Sequence, residues 1–250
     1  MIVGNNRVQT TLVAYYGPKP EPFQQLIHLC QKRISELLNH GFIPYQSEQV
    51  HATIVGLEGC RIDDKILNKN FIDYRGECRL VDLSQLLQFL KHVPHIELRI
   101  GGYKAEHHFG FESRGKHPYE RSFAIRGEIA VAMGWPVNGS KPLDCLRRRF
   151  TEVNVLHKEH RTDADVDDDF YFVLGRVDKR VAKDEAIEVV NEELRKFFAN
   201  CEPVELVLSR ESLSIVAYLD PQLPLSTSCA FDLIKSGLDG PTLVSVYPQC

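Results

Sequence analysis

The sequence predicts an α+β domain made of two pseudo-symmetric lobes of antiparallel sheet with helices packed outside. Three observations carry this. Short β-branched and aromatic runs mix with helical spacings, without the strict strand–helix alternation of a parallel doubly wound fold. A strand–helix–strand order occurs at the start of the chain and again between Phe170 and Leu219. No low-complexity linker divides the 250 residues, and a hydrophobic fraction of 43% is enough for one substantial core. Residues 1–250 therefore read as a single domain, with lobes at about 1–60 plus the C-terminal strands, and at 96–200.

Each element has a local reason. Val8 to Tyr16 is rich in β-branched and aromatic residues and stops at Gly17-Pro18, as a strand does. After a turn through Pro22, apolar residues recur at Phe23, Leu26, Ile27, Cys30, Ile34, Leu37 and Leu38. That is one face of a helix, with Asn39-His40-Gly41 as its stop. Val50 to Leu57 reads as a second strand, and Asp82 is placed to cap a helix through Leu83, Leu86, Leu87 and Leu90. A strand-rich middle follows: Ile96 to Gly101, a return strand near His108 to Glu112, and Ser122 to Met133. Lys141 to Phe150 is predicted helical and Phe170 to Val177 a strand, and Ile187, Val190, Leu194 and Phe197 mark another helix. Val204 to Leu219 reads as one long strand, and the proline-containing tail shows no clear pattern.

A net charge of −4 disfavours a polyelectrolyte grip on long duplex nucleic acid, yet leaves room for a local basic cleft. The seven cysteines are scattered without a C-x-x-C pair, which fits reduced thiols in the cytosol better than a disulfide framework or a zinc site. Met1 to Thr10 is polar and lacks the apolar segment of a secretion signal. The longest apolar stretch, Ile129 to Trp135, is too short to span a bilayer. The expectation is a cytoplasmic protein without a membrane partner.

The informative tetrapeptide is His51-Ala52-Thr53-Ile54. On a strand, residues i and i+2 leave the same face, so His51 and Thr53 point together while Ala52 and Ile54 pack behind. An imidazole exchanges protons near neutrality, and a hydroxyl beside it donates to a phosphate oxygen. Taken alone, the same triplet also suits an ordinary half-buried strand. Its setting is more specific: Thr11-Leu-Val-Ala-Tyr-Tyr, a proline-containing turn, an amphipathic helix, Pro44, then His51-Ala-Thr-Ile-Val-Gly-Leu-Glu-Gly.

This succession resembles the first lobe of the two-histidine (2H) phosphoesterase superfamily, which includes cyclic nucleotide phosphodiesterases and the so-called 2′,5′-RNA ligases. The resemblance implies one H-x-[ST] motif in each of two lobes, facing across a central cleft. It also implies hydrolysis of a 2′,3′-cyclic phosphate or a related RNA-end or nucleotide phosphodiester, with no metal or organic cofactor. His51 and Thr53 would then be catalytic. The second motif departs from the pattern: in Tyr171-Phe172-Val173-Leu174-Gly175-Arg176-Val177, Tyr171 stands where histidine is expected and Val173 where threonine is. Each proton-transfer role is worth about 10²–10⁴-fold in rate. The alternative is therefore a degenerate scaffold that binds a nucleotide or RNA end without turnover.

Tyr171 would line the opposite wall of the cleft. Candidate anion contacts are Arg121 and Tyr119, from the basic, glycine-containing loop Ser113 to Ser122, together with Lys158 and His157. Two other constellations read as solvated surface. They are the acidic run Asp163 to Asp169 behind His157 and His160, and the triplet Arg147-Arg148-Arg149, whose members splay around a helix. Trp135 reads as a core or turn residue.

Overall fold

The computed structural model describes residues 8–234 and 238–250; residues 1–7, most of the polar N-terminal stretch, lie outside them. The first half of the chain forms β1 (Gln9–Ala14), α1 (Glu21–Leu38), β2 (Phe42–Pro44), β3 (Ala52–Gly56), β4 (Gly59–Ile62), β5 (Lys65–Asn68), α2 (Lys69–Arg75), β6 (Leu80–Val81), α3 (Leu83–Leu90) and β7 (Ile96–Ile100). The rest forms α4 (Pro118–Arg121), β8 (Phe123–Arg126), β9 (Ile129–Pro136), α5 (Pro142–Arg149), β10 (Phe170–Val177), α6 (Asp184–Asn200), β11 (Val204–Leu208), β12 (Leu213–Tyr218), β13 (Ser228–Asp232) and α7 (Gly240–Val246).

The fold is α+β. Ten strands make one sheet in the order β11-β7-β9-β10-β3-β1-β12-β13, with β2 added to β10 and β8 to β9. The β4-β5-β6 strands make a second, smaller sheet. Every pairing between these strands is antiparallel. The two halves of the large sheet meet at β3 and β10.

One face of the sheet is closed by α1 and α6. Phe23, Ile27, Cys30 and Ile34 of α1 and Val190, Leu194 and Phe198 of α6 pack with Leu12, Ala52, Ile54, Phe170, Phe172 and Leu174 in the main core. The helical spacing read from the sequence is this buried stripe, except that Leu37 is exposed. Asp82 caps α3 as expected, its carboxylate accepting from Ser84 N at 2.9 Å and Gln85 N at 3.2 Å. The other face carries two small apolar clusters, Val13–Val216–Tyr218–Leu223 and Tyr103–Val131–Met133–Trp135, on either side of the centre.

Several expectations are corrected. Ser122 to Met133 is a hairpin, β8 and β9, turned at Gly127 with φ +59. Apolar residues on both sides of that glycine had made it read as one strand. Val204 to Leu219 is likewise two strands. The Ser212 hydroxyl accepts from Ser209 N at 3.1 Å and donates to Ser209 O at 2.9 Å, closing a turn. That turn sends β11 to the edge beside β7 and β12 to β1. No strand forms at His108 to Glu112; Phe109 and Phe111 instead pack against Tyr103 and Trp135.

The cysteines are also not all thiols. Cys60 of β4 is bonded to Cys250, while Arg61 N donates to Pro248 O at 2.7 Å and Cys250 N to Arg61 O at 3.2 Å. A separation of 190 residues hid this pair. Among the described residues, no helix is long and apolar enough to cross a membrane.

Candidate functional site

The two central strands set the geometry of the site. Phe172 of β10 is paired with Ala52 of β3, and both are buried against α1 and α6. Continuing this antiparallel register places Tyr171 beside Thr53 and Val173 beside His51. All four of these side chains are half-buried, on the face away from the main helices. Val13, the partner of Thr53, and Met133, the partner of Tyr171, continue the floor on each side.

His51 immediately precedes β3, and its Nδ1 lies 2.7 Å from the Gln49 carbonyl oxygen. A carbonyl only accepts, so Nδ1 carries the proton and Nε2 of the neutral ring is left with a lone pair. Burial is the main reason that His51 is pushed down to about 4; the Gln49 contact opposes it and the charge on Lys19 adds to it. The ring is therefore neutral at pH 7, with Tyr16 edge-on at 5.8 Å. Lys19 donates to Gly17 O at 2.9 Å, and burial pushes its amine down to about 7 against the pull of Glu48.

Around Tyr171 the surroundings are polar. Electrostatic interaction with Tyr171 comes first among the causes holding the Lys158 amine above its ordinary value, with Glu159 and Glu58 assisting against desolvation. Glu58 accepts from the Tyr218 hydroxyl at 3.0 Å. The exposed Arg126 is near enough to feel both Asp169 and Tyr171.

Beneath the motif lies a buried guanidinium. Arg147 of α5 is 0% exposed, which corrects the expectation of a solvated arginine triplet. It donates to Thr53 O and Ile54 O of β3 and to Asp167 O and Asp169 O, all at 3.0 Å. Its ion pair with Asp167 spans 3.1 Å. One side chain thus ties the middle of β3 to the approach of β10. The ladder between β1 and β3 shifts register between Leu12 and Val13, in line with these carbonyls turning towards α5.

The acidic run is only partly solvated, since Asp167 and Asp169 are buried. His157 donates through Nε2 to Asp167 at 2.7 Å, and its buried Nδ1 has no partner among the described residues. Burial first, then the charge of Arg147, pushes His157 down to about 4, so it is a neutral structural donor at pH 7.

His51, Thr53 and Tyr171 thus share one face, with Lys158 near Tyr171. Three other candidates are engaged elsewhere. Tyr119 donates to Glu192 of α6 at 3.0 Å. Arg121 is buried and ion-paired to Asp169 at 2.6 Å. His157 is committed to Asp167. The rest of that loop forms a tight turn: Ser113 and Lys116 exchange backbone hydrogen bonds around Arg114 and Gly115, at φ 50 and 71. Sequence reasoning missed Tyr16, Lys19, Glu58, Arg126, Arg147 and Tyr218. Of these, Tyr16, Lys19 and Glu58 carried a signal, since they fall within the quoted first-lobe pattern. Among the described residues, no group of three or more His, Cys, Asp or Glu side chains is arranged to hold a metal ion.

No protein-family model matches the chain, and no curated protein does. Solved structures match at low identity. TT0787 of Thermus thermophilus is 12% identical with a TM-score of 0.42, covering 89% of this chain and 93% of that one. The conserved protein of unknown function ATU0111 from Agrobacterium tumefaciens str. C58 is 12% identical with a TM-score of 0.41, covering 81% of each chain. Kluyveromyces marxianus Usb1, solved with uridine monophosphate, is 8% identical with a TM-score of 0.42, covering 91% of this chain and 98% of that one.

Proposed function

We propose that the face bearing His51, Thr53 and Tyr171 is a phosphodiester site. On this reading the protein is a 2H-like phosphoesterase acting on a 2′,3′-cyclic phosphate or a related RNA-end or nucleotide phosphodiester. The pairing of Phe172 with Ala52 is the observation that carries it, because it sets Tyr171-Phe172-Val173 antiparallel to His51-Ala52-Thr53 at the centre of the sheet. Water attacks phosphorus and loses its proton to His51 Nε2, which the Gln49 contact leaves free. Thr53 donates to a non-bridging oxygen. Tyr171, on the facing strand, protonates the departing alkoxide as the P–O bond breaks. Lys158 and Arg126 supply positive charge nearby.

A second reading, binding without turnover, is favoured by Val173. It stands where the resembled motif has its threonine and offers phosphate no hydrogen bond, while Tyr171 stands in place of the second histidine. One experiment separates the two: a panel of 2′,3′-cyclic nucleotides offered to the wild-type protein and to His51→Ala, with product formation and melting temperature both recorded. The hydrolase gives product that His51→Ala loses by at least 100-fold, in line with a proton-transfer role of about 10²–10⁴. The binder gives stabilisation, about 2.7 kcal/mol at a ligand concentration one hundred times Kd, and no product. Equal turnover by both proteins removes His51 from the chemistry.

A further inference from the structure

Next to the start of β10, a cavity of about 330 Å³ opens between the turn at Arg114 and the end of β9. That volume lies within the range of small-molecule sites, roughly 300–1,000 Å³. Phe111, Trp135, Pro136 and Val166 supply apolar walls, and Glu112, Arg114, Lys141, Asp168 and Asp169 supply charge of both signs. The rings of Phe111 and Trp135 stand 5.8 Å apart and are tilted by 52°, so their apolar surfaces meet at one wall of the cavity.

The two neighbouring carboxylates have different duties. Asp169 is saturated, accepting from Ser113 Oγ at 2.5 Å, Trp135 Nε1 at 2.7 Å and Arg121 Nη2 at 2.6 Å. Asp168 is only half used. Its Oδ1 accepts from Leu143 N at 2.9 Å and Asp144 N at 3.0 Å, which caps α5 and fixes the carboxyl plane. Its Oδ2 accepts no hydrogen bond among the described residues and is not sealed from solvent. A preoriented acceptor beside aromatic walls asks for a flat ligand with an N–H donor on its edge.

We propose that this cavity binds a nucleobase carrying an exocyclic amino group, with the amino group donating to Asp168 Oδ2 and the ring lying against Phe111. Adenine, cytosine and guanine meet that demand. Uracil does not, because carbonyl oxygens stand on both sides of its single N–H and would face the carboxylate. The partly exposed Arg114 lines the same cavity, its guanidinium ion-paired at 3.3 Å with Glu159 and with Asp167 and at 3.5 Å with Asp169. Asp169, which also lines the cavity, lies two residues before Tyr171, at most about 7 Å along the chain. In an oligonucleotide bound at Tyr171 and Thr53, the cavity would receive an adjoining base. That placement rests on the function proposed above; the binding of the base itself does not.

The test uses the chain's single tryptophan, Trp135, as an internal probe. Tryptophan fluorescence is followed while adenosine, cytidine and uridine, none carrying a phosphate, are titrated into the wild type, Asp168→Asn, Phe111→Ala and His51→Ala. The expected result is a saturable change with adenosine and cytidine and at least tenfold weaker binding of uridine. Asp168→Asn, whose Oδ1 still caps α5, and Phe111→Ala each weaken adenosine binding by tenfold or more, and His51→Ala leaves it unchanged. Should Asp168→Asn fail to fold, Phe111→Ala and the adenosine-to-uridine ratio decide the matter. No saturable change, equal binding of uridine, or unaltered binding by the folded variants would overturn the proposal. Nucleoside binding without hydrolysis of any cyclic phosphate leaves it standing while removing the hydrolase reading. Hydrolysis without nucleoside binding does the reverse.

Discussion

Replacing Arg147 by methionine tests whether a buried cation organises the strand bearing His51 and Thr53. Met keeps much of the aliphatic volume but abolishes four backbone hydrogen bonds and the ion pair to Asp167. Hydrogen bonds to a charged group are worth about 1.5–3 kcal/mol each, but they do not add, because all four share one guanidinium. Removing one partner of a buried pair costs about 3–5 kcal/mol, since the other charge is stranded. For a chain of this size each kcal/mol moves the melting temperature by roughly 2–4 °C, which gives a fall of about 6–20 °C. Burial pushes the Asp167 carboxyl up, but Arg147 and His157 more than offset this and hold it below its ordinary range. Asp167→Asn alone should therefore also destabilise. The Arg147→Met/Asp167→Asn double variant should lose less than the sum of the two. Thermal and urea melts of the four proteins close the cycle. A shift under about 3 °C for Arg147→Met, or strict additivity, would refute the reasoning.

Two further outcomes follow from the geometry. In His51 the folded value near 4 lies below the ordinary 6.5, so the ring is neutral from above pH 6.5 down towards 4, and folding excludes a proton between those limits. Proton NMR of the imidazole should place its midpoint well under 6.5, and Lys19→Met should raise it by removing a repelling charge; a normal midpoint would contradict the geometry. Hydrolysis dependent on His51 should accordingly show no loss between pH 7 and 5.5. Reduction of Cys60–Cys250, which closes a 190-residue separation, removes up to about 5 kcal/mol on the loop-entropy account. A lower melting temperature in dithiothreitol, absent from Cys60→Ser/Cys250→Ser, checks this; an identical melt with and without reductant would exclude a stabilising bond.

What the sequence made legible depends on how local the cause was. The faces of α1 and α6 and the cap at Asp82 are written in spacings of three and four residues and in one side chain next to one helix end. All three appear in the structure. The Phe170–Val177 strand was likewise visible from its own composition. The hairpin at Gly127 and the turn at Ser209 were not, because apolar residues continue across both and the break is made by one glycine or one serine pair. The small β4-β5-β6 sheet was missed because its strands are two to four residues long. That His51 and Thr53 share one face was legible from alternation along the strand. Arg147 was not. Three consecutive arginines look alike in sequence, and only the docking of α5 against β3 and the 167–169 segment decides that one is buried, one pairs with Asp144 and one faces outward.

That same docking bears on why the one-sided motif keeps its geometry. In a site with matching halves, each strand could be held by its own histidine and threonine contacts. Here Tyr171 and Val173 give β10 no such contacts, yet the approach to β10 is fastened through Asp167 and Asp169 to the same guanidinium that holds Thr53 and Ile54. The spacing across the central pair is therefore set from below, by a buried cation, and does not depend on what the second strand displays above. Such a scaffold tolerates substitution at 171 and 173 without losing the position of His51. The double variant Tyr171→His/Val173→Thr should thus fold with a melting temperature close to the parent. If the proposed phosphodiester chemistry is right, it should also raise turnover of a cyclic phosphate, because an acid–base partner would then stand on a strand already held in place.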